Sequence, residues 1–278
     1  HPCEEACRRG TLDEPVAIRD IKRFLADRQW TESAENPTSV VFRSEKVAVI
    51  GSGPAGLAAA ADLARFGYPV TVFEKEEKTG GMLRYGIGPW RLPRDVLDRE
   101  IHYIERLGVE FRTGCSIDLT DGIRELRKEF SSVILATGTW KDRRLGVPGE
   151  NLDGVQGCLS FLEKLYKGEV GSTEERIAVV GDGNAAFDVA RACVRLGARV
   201  TVLSWFPEEL IPADSAEVVA AREEGIGITD SLKVVEFIGR DGRLAALRCA
   251  ATKPGEPDAG GIPWPVIIPG GPITELPF

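Results

Sequence analysis

A short glycine pattern occurs twice in the sequence and restricts the folds that the chain can adopt. The first copy, GSGPAG at residues 51–56, follows the apolar run 47–50 and opens an alanine-rich stretch. The second copy, GDGNAA at residues 181–186, follows the apolar run 177–180 in the same way. Continuous β-branched runs predict strands buried on both faces of a parallel sheet, and alanine-rich stretches predict helices. The repeat therefore predicts an α/β fold with two Rossmann-like βαβ units.

Apolar spacing and glycine stops predict the other elements. In the first unit we expect a helix from 54, further strands at 70–73, 109–112 and 133–136, and a second helix at 93–107. In the second unit we expect a helix at 184–196, a strand at 200–203, and a β-hairpin turning at Asp241-Gly242. The predicted regions are 1–45 (helical remnant and linker), 46–150 (FAD-binding), 151–255 (NAD(P)-binding) and 256–278 (an irregular Pro/Gly-rich segment).

Each glycine of the first copy has a physical role in binding a dinucleotide. Gly51 allows the tight turn, Gly53 lets the backbone approach a pyrophosphate, and Gly56 lets the helix pack against the strand. The helix N-terminus presents free amides and partial positive charge to the phosphates. Glu74 stands eighteen residues beyond Gly56 at the end of the next strand, where a carboxylate can bind ribose hydroxyls. These features agree, so the sequence predicts a dinucleotide site rather than an ordinary glycine turn.

Charge and composition exclude several other classes of function. The net charge is −8, without clusters of Lys or Arg, so no nucleic-acid partner is expected. No apolar run approaches the ~20 residues that span a bilayer, so no membrane insertion is expected. Six cysteines among 278 residues are too few for a disulfide scaffold, and the first residues do not resemble a signal peptide. A reducing, cytoplasmic location is therefore predicted.

Further motifs lie between the two copies: GGML at 80–83, YGI at 85–87, RLP at 91–93 and ATG at 136–138. In combination they resemble the flavoproteins grouped around the glutamate synthase small subunit, within the pyridine nucleotide-disulfide oxidoreductase superfamily. The likeness extends over essentially the whole chain. It implies an FAD domain with an inserted NAD(P) domain. It also implies an FAD-dependent oxidoreductase that passes electrons between NAD(P)H and iron–sulfur clusters or partner subunits.

The resemblance implies which residues contact each cofactor. For FAD these are Gly51, Gly53, Pro54, Ala55, Gly56, Glu74, Gly81, Leu83, Ile117, Thr137 and Gly138. For the nicotinamide nucleotide these are Gly181, Gly183, Asn184, Ala185, Ala186 and Asp188. Ordinary core packing explains Leu83 and Ile117 nearly as well. No catalytic side chain is predicted, because hydride transfer between two cofactors needs a protein that holds their rings together rather than an acid or base.

The second copy departs from the family pattern. Asp182 stands where the family usually has Gly, and its carboxylate would repel a pyrophosphate unless it points away. Ser204 lies eighteen residues beyond Ala186, so the acid expected for a ribose diol is missing there. Trp205 and Phe206 stand where NADP-using members carry an arginine pair, so a 2′-phosphate lacks its usual partner. These departures favour NAD(H) over NADP(H).

Three interpretations of the second unit stay open at this point. It binds NAD(H); it binds NADP(H) through basic residues that the sequence does not locate; or it is a retained scaffold in a subunit whose flavin exchanges electrons only with clusters and partner proteins. A flavin monooxygenase also pairs two dinucleotide folds. Nothing between the two glycine copies resembles the usual linking motif of that family, which makes it the weaker enzyme alternative.

Cys3 and Cys7 resemble the end of the cysteine-rich iron–sulfur domain of the same family. Thiolates suit such clusters, and four per cluster are usual. The pair is therefore expected to be free thiols by itself and to ligate a 4Fe-4S cluster within a longer parent protein. In the family a later Gly-Asp motif, beyond the second unit, completes the FAD site, and no such pair occurs between residue 187 and Phe278. The chain is accordingly expected to be an internal portion of a longer flavoprotein.

Overall fold

The computed structural model describes residues 2–32 and 42–277. The N-terminal part contains the short helix α1 (Pro2–Glu5), a 3₁₀ turn (Arg8–Thr11) and the helix α2 (Ile18–Glu32). Residues 33–41, within the predicted helical remnant and linker at 1–45, lie outside the described residues. No helix in the described part of the chain is both long and apolar enough to cross a bilayer.

A four-stranded parallel sheet carries the first glycine copy. Its strands are β1 (Val47–Ile50), β2 (Val70–Phe73), β3 (Glu110–Arg112) and β4 (Ser132–Leu135). They lie in the order β3-β2-β1-β4. Because β1 pairs in parallel with both β2 and β4, the carboxyl ends of these strands meet at one edge of the sheet. The glycine loop lies at that edge.

Helices pack on both faces of this sheet. They are α3 (Pro54–Arg65), the short α4 (Met82–Tyr85), α5 (Arg94–Arg106) and α6 (Asp121–Glu129). Apolar side chains of α3 and α5 pack with Val49 and Val72 in one core cluster. On the opposite face, Leu126 of α6 packs with Ala48 and Phe73. The alternating direction of side chains along a strand explains why neighbouring residues enter different cores.

The second glycine copy lies in a separate three-stranded parallel sheet. Its strands, in the order β5-β6-β7, are β5 (Arg176–Val180), β6 (Arg199–Leu203) and β7 (Gly227–Thr229). The helices of this unit are α7 (Cys158–Tyr166), α8 (Asn184–Arg195) and α9 (Ser215–Glu223). Residues 186–193 of helix α8 are buried, and its Phe187 and Cys193 pack with Val202 in the largest core cluster. The predicted α/β fold with two Rossmann-like units is confirmed.

An antiparallel sheet follows the second unit. Its strands are β8 (Leu232–Arg240), β9 (Arg243–Lys253), β10 (Val266–Ile267) and β11 (Ile273–Pro277). The first two form the predicted hairpin, and both turn residues, Asp241 and Gly242, have positive φ as a type I′ turn requires. Asp tolerates this conformation better than most residues with a side chain.

The C-terminal segment is more regular than its Pro/Gly content predicts. Strand β11 pairs along five residues of β9, from Ile273↔Ala250 to Pro277↔Ala246, and β10 pairs farther along the same strand. Pairing with β9 makes this segment regular, because the long strand leaves backbone groups open for a partner at its edge. Composition alone does not reveal such a partner. The exact boundaries of the predicted regions stay a prediction.

Candidate dinucleotide sites

The first loop is held so tightly that two of its positions accept only glycine. Gly51 has a φ of 102°, and a Cβ there would overlap the Ala136 carbonyl at the end of β4. A Cβ at Gly56 would overlap the Gly51 carbonyl oxygen. Helix α3 therefore packs directly against the turn that precedes it, as the sequence predicts for the first and third glycines.

The middle glycine differs because it faces open space. A Cβ at Gly53 would have no described atom within 4 Å. Helix α3 begins at the next residue, Pro54, and Ala55 is exposed in its first turn. The first amides of a helix have no partner within the helix and attract anions. We call the open space beside Gly53 and the first turn of α3 the first cradle. This open space and the free amides fit a pyrophosphate.

Gly81 bounds the same cradle from the other side. Its φ is 52°, and a Cβ there would lie 2.7 Å from the Gly53 Cα. The Gly80 amide also donates to Ser52, with its nitrogen 3.1 Å from the Ser52 carbonyl oxygen and 3.0 Å from Oγ. The segment that carries the GGML motif is thus joined to the glycine loop.

Glu74 is buried at the end of β2 and binds the glycine loop. Its Oε2 accepts from the Ser52 amide at 2.9 Å and from the Ser52 hydroxyl at 2.5 Å, while Oε1 accepts from the Glu76 amide at 2.9 Å. A carboxylate oxygen has two lone pairs, so Oε1 keeps capacity for a further donor. The side chain therefore fixes the loop and still suits a ribose hydroxyl. The sequence predicts the second role and not the first.

The other predicted FAD contacts fall into two groups. Thr137 and Gly138 are exposed directly after β4, and the Thr137 Cα lies 3.3 Å from the position of a Cβ at Gly51, so they border the loop. Leu83 and Ile117 are half-buried and pack against the core clusters on opposite faces of the sheet. The contacts that both side chains make are core packing. A contact with FAD stays a prediction for both.

The second loop has a similar open space beside its middle glycine, which we call the second cradle. Its helix packs less closely against the preceding turn. Gly181 has a φ of 141°, and a Cβ there would meet the Ala186 Cβ at 3.5 Å, an ordinary contact. A Cβ at Gly183 would have no described atom within 4 Å. Asn184, the first residue of α8, accepts from the Asp214 amide through Oδ1 at 2.8 Å. Ala185, like Asn184, is exposed in the first turn.

Asp182 points away from the cradle. Its Oδ2 accepts from the Trp205 amide at 2.9 Å and lies 3.4 Å from the Ser204 hydroxyl. The carboxylate is therefore directed at the end of β6, where the sequence lacks an acid. The predicted repulsion of a pyrophosphate is avoided by this orientation.

The aromatic pair after β6 serves to pack the antiparallel sheet. Phe206 is buried, with its ring centroid 5.7 Å from that of Trp264. The Trp205 carbonyl accepts from the Thr252 hydroxyl at 2.8 Å, and the Lys233 ammonium lies 4.1 Å from the Trp205 ring centroid. Lys233 comes from β8, so sequence spacing gives no signal that it reaches this loop.

Asp188 lies on the buried side of α8 and connects the two units. Its Oδ2 pairs with Arg91 at 2.7 Å, and the Arg91 Nε lies 3.0 Å from Glu217. Burial raises the pKa of Asp188 above its ordinary value, against the opposing effect of Arg91. No described group donates to its Oδ1. The visible role of Asp188 is this connection, and direct nucleotide contact stays a prediction.

The neighbouring Trp90 strengthens the same connection. Its ring lies against Arg195 of α8, with the guanidinium carbon 4.0 Å from the ring centroid, and it packs against the core of the second unit. Residues 90 and 91 precede the RLP motif's proline in the first unit. The sequence identified this motif by resemblance and did not reveal that it holds the second unit.

Cys3 and Cys7 do not form a metal site within the described residues. No group of three or more His, Cys, Asp or Glu side chains there is placed to hold a metal ion. Backbone hydrogen bonds, chiefly from Val16, hold the pKa of the Cys7 thiol below its usual value, which favours the thiolate that binds iron. Ligation in a longer protein stays a prediction.

Comparison with known proteins identifies the family. A sequence model described as "Pyridine nucleotide-disulphide oxidoreductase" matches residues 45–264. The chain is 38% identical to the beta subunit of NADP(+)-dependent formate dehydrogenase of Moorella thermoacetica, over 97% of this chain and 42% of that protein. It is 33% identical to the glutamate synthase [NADPH] small chain of Mycobacterium tuberculosis, over 89% of this chain and 56% of that protein.

Solved structures agree on the fold. FprA of Mycobacterium tuberculosis, in complex with NADPH, has a TM-score of 0.68 at 17% identity, covering 84% of this chain and 69% of FprA. Thioredoxin reductase of Lactococcus lactis has a TM-score of 0.58 at 22% identity, covering 84% of this chain and 75% of that one. The chain belongs to the pyridine nucleotide-disulphide oxidoreductase family, whose members bind FAD and NAD(P)H. It spans 42% of the length of the formate dehydrogenase subunit and 56% of the length of the glutamate synthase small chain.

Proposed function

We propose that the chain is the nucleotide-binding part of a flavoprotein that passes electrons between NADH and iron–sulfur centres of the same protein or of partner subunits. The observation that carries this proposal is the pair of open cradles at Gly53 and Gly183. Each lies at the carboxyl edge of a parallel sheet and at the start of a long helix. One chain thus offers places for two dinucleotides.

The first unit is suited to hold FAD. The tight loop at Gly51, Gly53 and Gly56 would receive the pyrophosphate, and Glu74 would receive the adenosine ribose. Thr137 and Gly138, after β4, border the same loop. FAD supplies the chemistry, since it accepts two electrons and can release them singly. The protein's own contribution is to fix this loop through Ser52, Glu74 and Gly80 and to place the second unit beside it.

The connection between units supports electron exchange between the two sites. Hydride transfer requires the donor and acceptor rings to be held at a defined separation. The Arg91–Asp188 ion pair and the Trp90–Arg195 contact join the first unit to the helix that opens the second cradle. The Arg91–Asp188 pair involves a half-buried and a buried group, so it is less screened by solvent than a surface pair.

The preference for NADH over NADPH is argued from residues of this chain. The relatives named above carry NADP(+) or NADPH in their names. In this chain an aspartate lies beside the end of β6, and the loop contains no arginine. Of the cations near this loop, the ammonium of Lys233 lies over the Trp205 ring, and Arg222 pairs with Glu208. A dianionic 2′-phosphate normally requires a guanidinium fork.

Partners and location follow as parts of the same proposal. Two relatives are named as the beta subunit or small chain of an oxidoreductase, which supports redox partner subunits here. Cys3 and Cys7 would belong to the connecting 4Fe-4S cluster. The cysteines of the described residues are free thiols, which supports a reducing, cytoplasmic location.

Anaerobic visible absorption of the native, FAD-loaded protein tests the proposal. We expect NADH to bleach the flavin bands and NADPH at equal concentration to bleach them much more slowly. Bands that respond to dithionite but to neither nucleotide would support a flavin relay or scaffold subunit instead. Bands that respond equally to both nucleotides would support the oxidoreductase and contradict the preference for NADH.

A further inference from the structure

The two glycine copies contain the same pair of side chains in exchanged positions. In the first unit the residue between the first two glycines is Ser52, and the residue at the end of the second strand is Glu74. In the second unit these positions hold Asp182 and Ser204. Both pairs meet across the same junction, between the glycine loop and the end of the neighbouring strand.

The hydrogen bonds show that this exchange preserves a carboxylate at the junction. Glu74 reaches from the strand and accepts from the Ser52 amide and hydroxyl. Asp182 reaches from the loop and accepts from the Trp205 amide, with the Ser204 hydroxyl 3.4 Å away. In each unit one carboxylate oxygen binds a backbone amide and faces a serine hydroxyl of the opposite segment. The acid that appears absent from the second unit is therefore supplied from the loop.

The second carboxylate keeps an oxygen for a ligand. Asp182 is half-buried, and within residues 2–32 and 42–277 only its Oδ2 has a hydrogen-bond partner. An ionised carboxylate accepts through both oxygens, so Oδ1 is available to a donor. The two hydroxyls of an unmodified adenosine ribose are such donors. A 2′-phosphate in the same place would meet a like charge.

Lys233 carries a charge of the opposite sign. Its ammonium lies over the ring of Trp205, the residue whose amide binds Asp182, and so brings one positive charge to the same loop. The lysine offers a compact, mobile charge and no planar fork. Asp182, by contrast, is fixed by the Trp205 amide. The aspartate is thus the better organised of the two charges.

We propose that Asp182 is the residue that selects NADH over NADPH in this chain, by accepting from the adenosine ribose and repelling a 2′-phosphate. This inference rests on the proposed function, since it assigns a residue to the second cradle. The selection comes from the middle of the glycine loop rather than from the end of β6. A residue that only stabilised the loop would affect both nucleotides alike.

Calorimetric titration of the oxidised, FAD-loaded full-length protein with NAD⁺ and with NADP⁺ tests the inference without turnover. Asp182→Asn keeps an acceptor for the Trp205 amide and removes the charge. We expect the ratio of the two dissociation constants to shift toward NADP⁺ by about tenfold or more, because like-charge juxtaposition is lost. Asp230→Asn is the matched control: its carboxylate accepts from the Glu208 amide nearby, and the ratio should stay unchanged.

Two further variants keep the inference testable if Asp182→Asn folds poorly. The double variant Asp182→Ser/Ser204→Glu installs the arrangement of the first unit and should keep the preference for NAD⁺. Lys233→Ala should weaken NADP⁺ binding by about threefold, the scale of one exposed charge pair, and leave NAD⁺ binding unchanged.

The outcomes separate this inference from the proposed function. If the unchanged protein binds neither nucleotide, the proposed function fails, and the inference fails with it. If it binds NAD⁺ and Asp182→Asn leaves the ratio of dissociation constants unaltered, only the inference fails. An unchanged protein that prefers NADP⁺ also overturns the inference, while nicotinamide-dependent electron transfer stands.

Discussion

The first glycine loop is closed against its helix, whereas the second leaves room for a side chain. In the first unit a Cβ at Gly56 would overlap the carbonyl oxygen of Gly51. In the second unit Ala186 occupies the equivalent position, and its Cβ would be in ordinary contact with a Cβ at Gly181. The same motif therefore tolerates different distances between helix and loop.

The polar groups around the loops differ as well. The first loop is tied to the GGML segment, because Gly80 and Glu74 both bind Ser52. The second loop is tied to the aromatic segment after β6 through Asp182 and Trp205. A glycine pattern thus specifies a backbone path, whereas neighbouring segments decide which polar side chains lie beside the loop. Three predictions follow from this contrast.

Replacing the third glycine should affect the first unit most. Gly56→Ala places a Cβ against backbone that cannot move aside, so we expect a loss of about 3 kcal/mol in the free energy of unfolding, together with loss of bound flavin. The matched change in the second unit, Ala186→Gly, should cost only about 1 kcal/mol through helix propensity. Urea denaturation and the flavin-to-protein absorbance ratio measure both effects.

Similar stability losses in these two variants would contradict the contrast in packing. So would full flavin content in Gly56→Ala, since the loop could then accept a Cβ without moving away from its cradle.

Removing Glu74 should reduce flavin retention more than removing Asp188. Glu74→Ala leaves the buried Ser52 amide and hydroxyl without their acceptor, at a cost of about 1–3 kcal/mol for each unsatisfied group. We expect the flavin content after gel filtration to fall by about tenfold or more. Each loss of about 1.4 kcal/mol in binding free energy lowers the affinity about tenfold. Asp188→Ala lies in the second unit and leaves Arg91 paired with Glu217.

Asp188→Ala should accordingly keep most of its flavin. Equal flavin content in the two purified variants would show that Glu74 does not belong to the FAD site.

The smallest expected effect concerns a charge network at α8 in the second unit. Glu224 accepts from Arg191 and Arg195 of α8, and these arginines, Arg195 first, lower its pKa from 4.5 to about 2. A carboxyl with a depressed folded-state pKa stabilises the fold above its unfolded pKa and loses that effect as the pH falls. The contribution should be complete above about pH 4.5 and disappear toward pH 2.

Glu224→Gln should therefore destabilise the protein at pH 7 by about 1–2 kcal/mol, a value discounted for solvent screening of the exposed Arg195. The difference from the unchanged protein should shrink as the pH is lowered through that window. Denaturation curves between pH 7 and pH 3 measure it. A difference that is independent of pH would mean that Glu224 acts through packing and not through its charge.

Much of the backbone could be predicted from local sequence. The strands at 47–50 and 70–73 and the start of α3 at Pro54 lie where the apolar runs and glycines place them. The hairpin turn at Asp241-Gly242 was equally predictable, because its positive φ values suit those two residues. These features depend on interactions between residues that are close in the chain.

The polar contacts of the candidate sites were less predictable. Lys233 reaches Trp205 from another sheet, and Arg91 reaches Asp188 from the other unit. Spacing along the chain contains no signal for such pairs. The aromatic residues after β6 suggested a site without cations, yet Phe206 packs under Trp264 and Trp205 lies under a lysine.

The sequence alone determined that this protein has two dinucleotide folds, because glycine spacing and buried apolar runs act through local sterics and the pleat of the strand. The tertiary structure alone decided where the second carboxylate lies and how the two units are joined. Those features depend on the direction of single side chains across segments far apart in the chain. Asp182 is the clearest case: its sequence position suggests a repelled phosphate, and its hydrogen bond to the Trp205 amide directs it to the end of β6.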